Sequence, residues 1–416
     1  MTTIFSGSAS RIRTICAFWL LAALVWPTPS QAGGRPAGGQ QSASAPFFPL
    51  EIGWTTELAA PAAAQPAFDD EHAYVPLRDG TLAAIRLQDG SIAWNVEQAT
   101  ALPPAAGGGT VVVAEGEAVT ALQAATGARL WSFDLGAAVS TAPLHGAGWL
   151  IVGLEGGDLV ALEAANGREL WRRALGGPLR VPPAFGGSRL FDPIEDDRLA
   201  ALDLLTGGLL WEQPLTGHPR KVLPLDAVFV GTTGNYLYRL SLSSGRVDWR
   251  WRTGGDVVGT PVVDEERIYF VSLDNMLWAL DRDSGVQRWR QVLTRRPQAL
   301  PGLFGRLLLV SGVSEEVRTF DRETGEPSNA LTAPAELGAP PYAARSLTSA
   351  GLRMVVLAAD GRLIGMRRPV PPPAVSLAEP PPPLRPVPYG VLPSTPIEIA
   401  PPAVAPAVSP GRVSPR

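Results

Sequence analysis

The sequence predicts an all-β fold, an eight-bladed β-propeller built from four-stranded antiparallel blades. Two independent spacings lead to this prediction. Between Trp94 and Trp289 a tryptophan recurs every 37 to 40 residues, each time four residues after a glycine, and a proline recurs every 37 to 41 residues over a longer stretch. A fixed period of this length is typical of a repeat architecture in which each repeat is one supersecondary unit.

One repeat, residues 139–175, shows why each unit is a blade. Apolar and alternating runs predict four strands, at residues 139–144, 149–154, 159–162 and 169–174. Tight-turn residues separate them, among them Gly156-Gly157 and Asn166-Gly167. Four short strands joined by hairpin turns are the repeating unit of a propeller.

The glycine before each tryptophan has a conformational reason. A hairpin loop built on a type I turn ends at positive φ, which glycine adopts without steric cost. We therefore single out seven turn glycines: Gly90, Gly127, Gly167, Gly207, Gly245, Gly285 and Gly325.

The prolines count the blades. Each lies near a predicted first strand, which is an edge strand and tolerates a residue without an N–H group. There are eight: Pro66, Pro104, Pro143, Pro183, Pro224, Pro261, Pro301 and Pro341.

The ends of the repeat region predict how the ring closes. Trp54 has no third strand before it, and the third strand at residues 363–366 has no tryptophan after it. Residues 51–58 should therefore supply the fourth strand of the C-terminal blade. Asn329 replaces the expected tryptophan in the seventh blade, so we expect the ring to be weakest there and a tryptophan at this position to raise thermal stability.

The chain divides into four segments. Residues 1–32 have two arginines, an apolar run and an A-x-A-like cleavage site, which predict a signal peptide. Residues 33–50 are a predicted disordered lead, residues 51–368 the propeller, and residues 369–416, with 17 prolines, a predicted disordered tail. The only cysteine, Cys16, precedes the signal's apolar core, so there is no lipobox, and we expect a periplasmic or otherwise exported protein.

Charge and hydropathy exclude two classes of partner. Residues 33–366 contain nine more acidic than basic residues, which argues against nucleic acid as a partner. Beyond the signal peptide, no segment is apolar over the roughly 20 residues that a transmembrane helix needs.

The recurring phrase A-L-D-x-x-T-G-x-x-x-W, as in residues 201–211, resembles the repeat of the pyrroloquinoline-quinone-like (PQQ-like) propeller family. The resemblance implies that the tryptophans pack between neighbouring blades. It therefore assigns a structural docking role to Trp54, Trp94, Trp131, Trp171, Trp211, Trp249 and Trp289. Within the family, the non-catalytic BamB-like branch fits best, which implies a scaffold for protein–protein interaction. The expected partners are envelope proteins, including an outer-membrane β-barrel assembly component.

Candidates for chemistry are weak. The three histidines, His72, His145 and His218, lie far apart, and the acidic group Asp192, Glu195, Asp196 and Asp197 is expected to be a solvated loop rather than a calcium site. We therefore predict no catalytic, cofactor-binding or metal-binding residues and no enzyme activity. Two alternatives stay open: a PQQ- and Ca²⁺-dependent quinoprotein dehydrogenase, and a ligand-sensing propeller.

Overall fold

The computed structural model describes residues 47–297, 302–312, 314–343 and 351–369. In these residues the secondary structure consists of short β-strands, grouped into eight four-stranded antiparallel sheets. In seven sheets the strands follow one another in chain order from first to fourth. The eight sheets are the blades of a propeller, and the predicted fold class is confirmed.

The strands of the first four blades have these bounds: blade 1, β2 (Ala67–Phe68), β3 (His72–Pro76), β4 (Thr81–Arg86) and β5 (Ile92–Glu97); blade 2, β6 (Ala105–Gly107), β7 (Thr110–Glu115), β8 (Ala118–Gln123) and β9 (Arg129–Asp134); blade 3, β10 (Leu144–Gly146), β11 (Trp149–Gly153), β12 (Asp158–Glu163) and β13 (Glu169–Ala174); blade 4, β14 (Ala184–Gly186), β15 (Arg189–Ile194), β16 (Arg198–Asp203) and β17 (Leu209–Pro214).

The remaining blades follow the same pattern: blade 5, β18 (Pro219–Pro224), β19 (Ala227–Thr232), β20 (Tyr236–Ser241) and β21 (Val247–Arg252); blade 6, β22 (Val257–Val263), β23 (Arg267–Ser272), β24 (Met276–Asp281) and β25 (Gln287–Val292); blade 7, β26 (Gly302–Phe304), β27 (Leu307–Ser311), β28 (Glu316–Asp321) and β29 (Pro327–Thr332); blade 8, β30 (Tyr342–Ala343), β31 (Leu352–Leu357), β32 (Arg362–Arg367) and β1 (Glu51–Glu57).

Blade 8 combines the two ends of the repeat region. β1 pairs antiparallel with β32, from Glu51 opposite Arg367 to Glu57 opposite Arg362. The N-terminal strand therefore completes the C-terminal blade, as predicted, and the ring closes through backbone hydrogen bonds rather than through a covalent turn.

The core lies between the blades. In blade 2, for example, the second and third strands are almost wholly buried, whereas the fourth strand alternates between exposed and half-buried residues. Eight apolar clusters fill the eight interfaces. Between blades 1 and 2, for example, Tyr74 and Leu82 of one blade meet Val111 and Val113 of the next. Burial on both faces explains why the middle strands consist of continuous apolar runs.

The first strands differ from the prediction. In blade 3 the first strand is β10, Leu144–Gly146, whereas residues 139–144 were expected. Val139 forms only an isolated bridge to Leu154, and Pro143 directly precedes the strand. Because proline cannot donate to the ladder, regular pairing begins only after it.

Three predicted segments lie mostly or wholly outside the described residues. The signal peptide at residues 1–32 lies entirely outside them. Of the lead at residues 33–50 the structure describes residues 47–50, and of the tail at residues 369–416 it describes residue 369.

Candidate functional site

The most regular polar contact in the structure joins a tryptophan to the turn of the following blade. Trp171, on β13 of blade 3, donates its indole N–H to the carbonyl oxygen of Leu204 in blade 4, at 2.9 Å. Its ring lies against Gly207, where an added Cβ would stand 2.7 Å from the ring carbon Cδ2. Gly207 has a φ of +66°, so the position favours glycine for backbone and for space alike.

The same docking unit, a tryptophan with a turn glycine and a turn carbonyl, occurs at seven interfaces. The N–H to carbonyl distances lie between 2.8 and 3.2 Å, and each acceptor stands three residues before its turn glycine. The pairs are Trp54 with Leu87, Trp94 with Ala124, Trp131 with Ala164, Trp171 with Leu204, Trp211 with Leu242, Trp249 with Arg282, and Trp289 with Arg322.

The seven predicted turn glycines all face a tryptophan of the preceding blade. Their φ values lie between +66° and +77°. The pairs are Gly90 with Trp54, Gly127 with Trp94, Gly167 with Trp131, Gly207 with Trp171, Gly245 with Trp211, Gly285 with Trp249, and Gly325 with Trp289.

The aspartate and threonine of the repeat shape the turn that holds the glycine. Asp203 accepts hydrogen bonds from the backbone N–H and the hydroxyl group of Thr206, at 2.9 and 2.8 Å. These bonds favour the carboxylate, so they lower the pKa of Asp203. The Leu204 carbonyl follows Asp203 directly. The phrase A-L-D-x-x-T-G therefore specifies both parts of the receptor for Trp171, the turn carbonyl and the turn glycine.

On its own blade, each tryptophan ring except one lies beside a small residue of the third strand. Five of the seven tryptophans pair with an alanine on the third strand, and Trp54 pairs with Gly365. Trp249 is the exception, because it pairs with Arg239.

Arg239 belongs to a polar cleft that the sequence analysis missed. The cleft, of about 610 Å³, is lined by residues of blades 4 and 5 and opens to solvent. The guanidinium of Arg239 contacts Asp248 on its own blade at 2.5 Å and Asp283 on blade 6 at 3.5 Å. A second pair, Arg282 with Asp226 at 2.7 Å, joins the same two blades. The arginine at a position where five other repeats have alanine was the available sequence signal.

The three histidines stand in separate blades. His72 lies 3.8 Å from Asp69, and His218 lies 2.7 Å from Asp197. His145 has a buried Nδ1 atom without a hydrogen-bond partner, and burial lowers the pKa of this imidazole. The structure brings no two of them together.

The acidic group is divided by the fold, and the expectation of one solvated loop was wrong for Asp192. Asp192 lies on β15, fully buried, and neither of its carboxylate oxygens has a hydrogen-bond partner. Burial raises its pKa well above the usual range. The other three lie in the following turn, where arginine or histidine side chains face them: Glu195 with Arg180, Asp196 with Arg198, and Asp197 with His218.

No group of three or more His, Cys, Asp or Glu side chains is placed to hold a metal ion within the described ranges. In the same residues no helix has the length and apolar character to cross a membrane.

The fold and the docking units define the class of protein: an eight-bladed β-propeller of the PQQ-like, tryptophan-docking type. The family described as outer membrane protein assembly factor BamB matches residues 51–119, 115–219 and 195–303, together more than half of the chain. The chain belongs to this family, which the repeat phrase had indicated.

One relative matches over a limited stretch. Outer membrane protein assembly factor BamB of Legionella pneumophila (strain Paris) is 26% identical over 106 residues, which are 25% of this chain and 27% of that protein. The match therefore spans about a quarter of the relative's length.

Solved structures match almost the whole ring. BamB from Moraxella catarrhalis superposes with a TM-score of 0.62 at 18% identity, over 77% of this chain and 98% of that one. Quinohemoprotein alcohol dehydrogenase ADHIIG from Pseudomonas putida HK5 superposes with a TM-score of 0.58 at 14% identity, over 78% of each chain. At these identities both comparisons support the fold alone.

Proposed function

We propose that this protein is an exported, non-catalytic scaffold that binds other envelope proteins in the periplasm, in the assembly of outer-membrane proteins. The observation that carries the proposal is the match of the BamB family across residues 51–303. The seven tryptophans act within the ring as inter-blade contacts, which leaves the turns and the outermost strands for partners.

The outermost strands offer two kinds of contact. Each fourth strand pairs on one side only, so its outer backbone groups can accept a strand of a partner. Of the nine large apolar side chains that are exposed in the described residues, three lie close together in sequence in blade 4: Leu205, Leu209 and Leu210. Clustered exposed apolar residues are common at protein–protein interfaces.

Co-purification tests the proposal. The tagged full-length protein, expressed in its own host, should retain the β-barrel component of the outer-membrane assembly machinery after membrane solubilisation. Leu205→Asp combined with Leu210→Asp should weaken this retention. Val292→Asp is the matched control, because Val292 is 67% exposed on blade 6, outside the blade 4 group. Failure of the wild-type protein to retain the barrel component would refute the assembly role.

The enzyme alternative has its own test. Purified protein is mixed with PQQ and Ca²⁺, and dye-linked alcohol oxidation is measured. Activity with a bound-cofactor absorbance would replace the scaffold proposal with a quinoprotein dehydrogenase, whose fold resembles this one.

A further inference from the structure

The interface between blades 7 and 8 lacks every part of the docking unit. Asn329 stands on β29 where a tryptophan stands in the other blades, and its side chain is exposed. The receptor is also absent. A turn between the third and fourth strands of blade 8 would supply the glycine and the carbonyl, but these strands are β32 and β1, from opposite ends of the propeller region.

The third-strand position that faces Asn329 on blade 7 also differs from the other repeats. Thr319, which is 1% exposed, stands on β28 where most repeats have alanine. Its hydroxyl group donates to the carbonyl oxygen of Asn329 and accepts from the N–H group of the same residue, both at 2.9 Å. The Thr319 hydroxyl group therefore satisfies both backbone groups of Asn329.

The residues that precede β1 take the position of the missing turn. Because β1 is the fourth strand of its blade, residues 47–50 enter at the ring face where the third-to-fourth turns of other blades lie. Phe47 and Leu50 pack against the cluster of this interface, which includes Leu309 on blade 7 and Met366 on blade 8. The ring of Phe47 lies 5.1 Å from the ring of Phe304.

We propose that residues 47–50 are a latch that docks on blade 7 through Phe47 and Leu50, and that the ring opens first between β1 and β32 when the latch is released. The direction of docking is reversed relative to the other interfaces. Elsewhere the earlier blade supplies the aromatic ring and the later blade the receptor, whereas here the later blade supplies the ring through Phe47. No covalent turn joins the later blade's fourth strand to its own blade, where it pairs through the β1–β32 ladder.

Hydrogen exchange in the full chain tests the latch. Phe47→Ala removes an aromatic side chain from an apolar cluster, so amides in β1 and β32 should exchange about ten times faster, while blades 2 to 5 stay near wild type. Phe48→Ala is the matched control. Phe48 is the adjacent phenylalanine and contacts Phe47, but it is not part of the cluster, and its removal should have a smaller effect. Equal effects of the two variants, or faster exchange spread evenly around the ring, would overturn the proposal.

A cross-link decides where the ring opens. Glu57 and Arg362 are ladder partners on β1 and β32, and Cys16 is the only natural cysteine of the chain. A disulfide between Glu57→Cys and Arg362→Cys should return the exchange of the Phe47→Ala variant to nearly the wild-type rate. Persistent fast exchange in the oxidised protein would show that opening does not occur between β1 and β32.

Discussion

The interface between blades 3 and 4 and the interface between blades 7 and 8 join similar strands by different contacts. At the first, Trp171 docks on a glycine turn and donates a hydrogen bond to it. At the second, an apolar cluster contains Phe47, and Asn329 is left exposed in the tryptophan position.

The difference shows that the docking unit is shared between two blades. A tryptophan contributes only if the next blade presents a positive-φ glycine and a free carbonyl in a covalent hairpin. A ring closed by strand pairing lacks one such hairpin, so one tryptophan loses its receptor. Replacing that tryptophan, here by Asn329, then costs little stability.

The largest expected effect separates the two kinds of interface. Trp211→Ala should lower the free energy of unfolding by about 3–5 kcal/mol, because Trp211 is 9% exposed and its removal leaves a cavity and breaks the hydrogen bond to the Leu242 carbonyl. Asn329→Ala, at the equivalent position of blade 7, should change it by less than about 0.5 kcal/mol. Urea denaturation of both variants measures the difference, and comparable losses would contradict the comparison.

A pair of glycines separates the cost of contact with a tryptophan ring from the cost of the left-handed backbone conformation. Gly207 and Gly187 have φ values of +66° and +64°, but only Gly207 has a tryptophan ring within contact distance of an added Cβ. Gly187→Ala should cost about 1–2 kcal/mol for the left-handed conformation. Gly207→Ala should cost about 1–3 kcal/mol more, because the ring of Trp171 must move. If thermal and urea denaturation give the same loss for both, the close contact has no energetic weight.

Asp192 offers a gain of stability at an ordinary interface. The corresponding second-strand position is valine in six of the other seven blades, as at Val152 and Val230. Because burying an unsatisfied polar group costs about 1–3 kcal/mol, Asp192→Val should stabilise the protein by a similar amount at pH 7.

The pH dependence of this gain follows from the raised pKa of Asp192. Below the unfolded pKa of about 3.9 the carboxyl group is protonated in both the folded and the unfolded protein, so its burial carries no ionisation penalty. As pH rises toward the raised folded pKa, the unfolded chain ionises first and the wild-type protein loses stability. The advantage of Asp192→Val over wild type should therefore be larger at pH 7.5 than at pH 4.5. Melting temperatures at both pH values check this, and a constant advantage would mean that Asp192 has an ordinary pKa.

The smallest expected effect concerns Asn329→Trp. The repeat pattern alone suggests that this substitution stabilises the ring, but the structure reverses the expectation, because blade 8 has no glycine turn to receive the ring. We expect a change within about 0.5 kcal/mol. A clear rise in melting temperature would show that the latch cluster can itself act as a receptor.

The sequence predicted the blades well because their determinants are local. The turn residues around Gly167 and the fourth strand at residues 169–174 follow from a few neighbouring positions, and the structure places that strand at Glu169–Ala174. The first strand of blade 3 was less predictable, because its regular pairing begins only after Pro143.

Contacts between blades that lie outside the repeated phrase were beyond reach of the sequence. The burial of Asp192 has a signal only in the comparison of repeats, because six of the other seven blades have valine at its position. The packing of Phe47 against Phe304 joins residues more than 250 positions apart, and no repeat pattern connects them. A residue that departs from its own repeat, such as Arg239 or Thr319, is the one signal that the sequence does contain.

Because Glu51 pairs with Arg367, the two ends of the propeller region lie opposite each other, and the ring itself has no fixed first blade. A short Thr-Gly turn between these two residues would make the ring a continuous hairpin chain, and new termini could then be opened in any other third-to-fourth turn. In such a circular permutant the tryptophan of the blade before the new break would lose its receptor turn, just as the position of Asn329 lacks one here. The position of Asn329 thus follows from where the strands of the propeller begin and end along the chain rather than from the seventh blade itself.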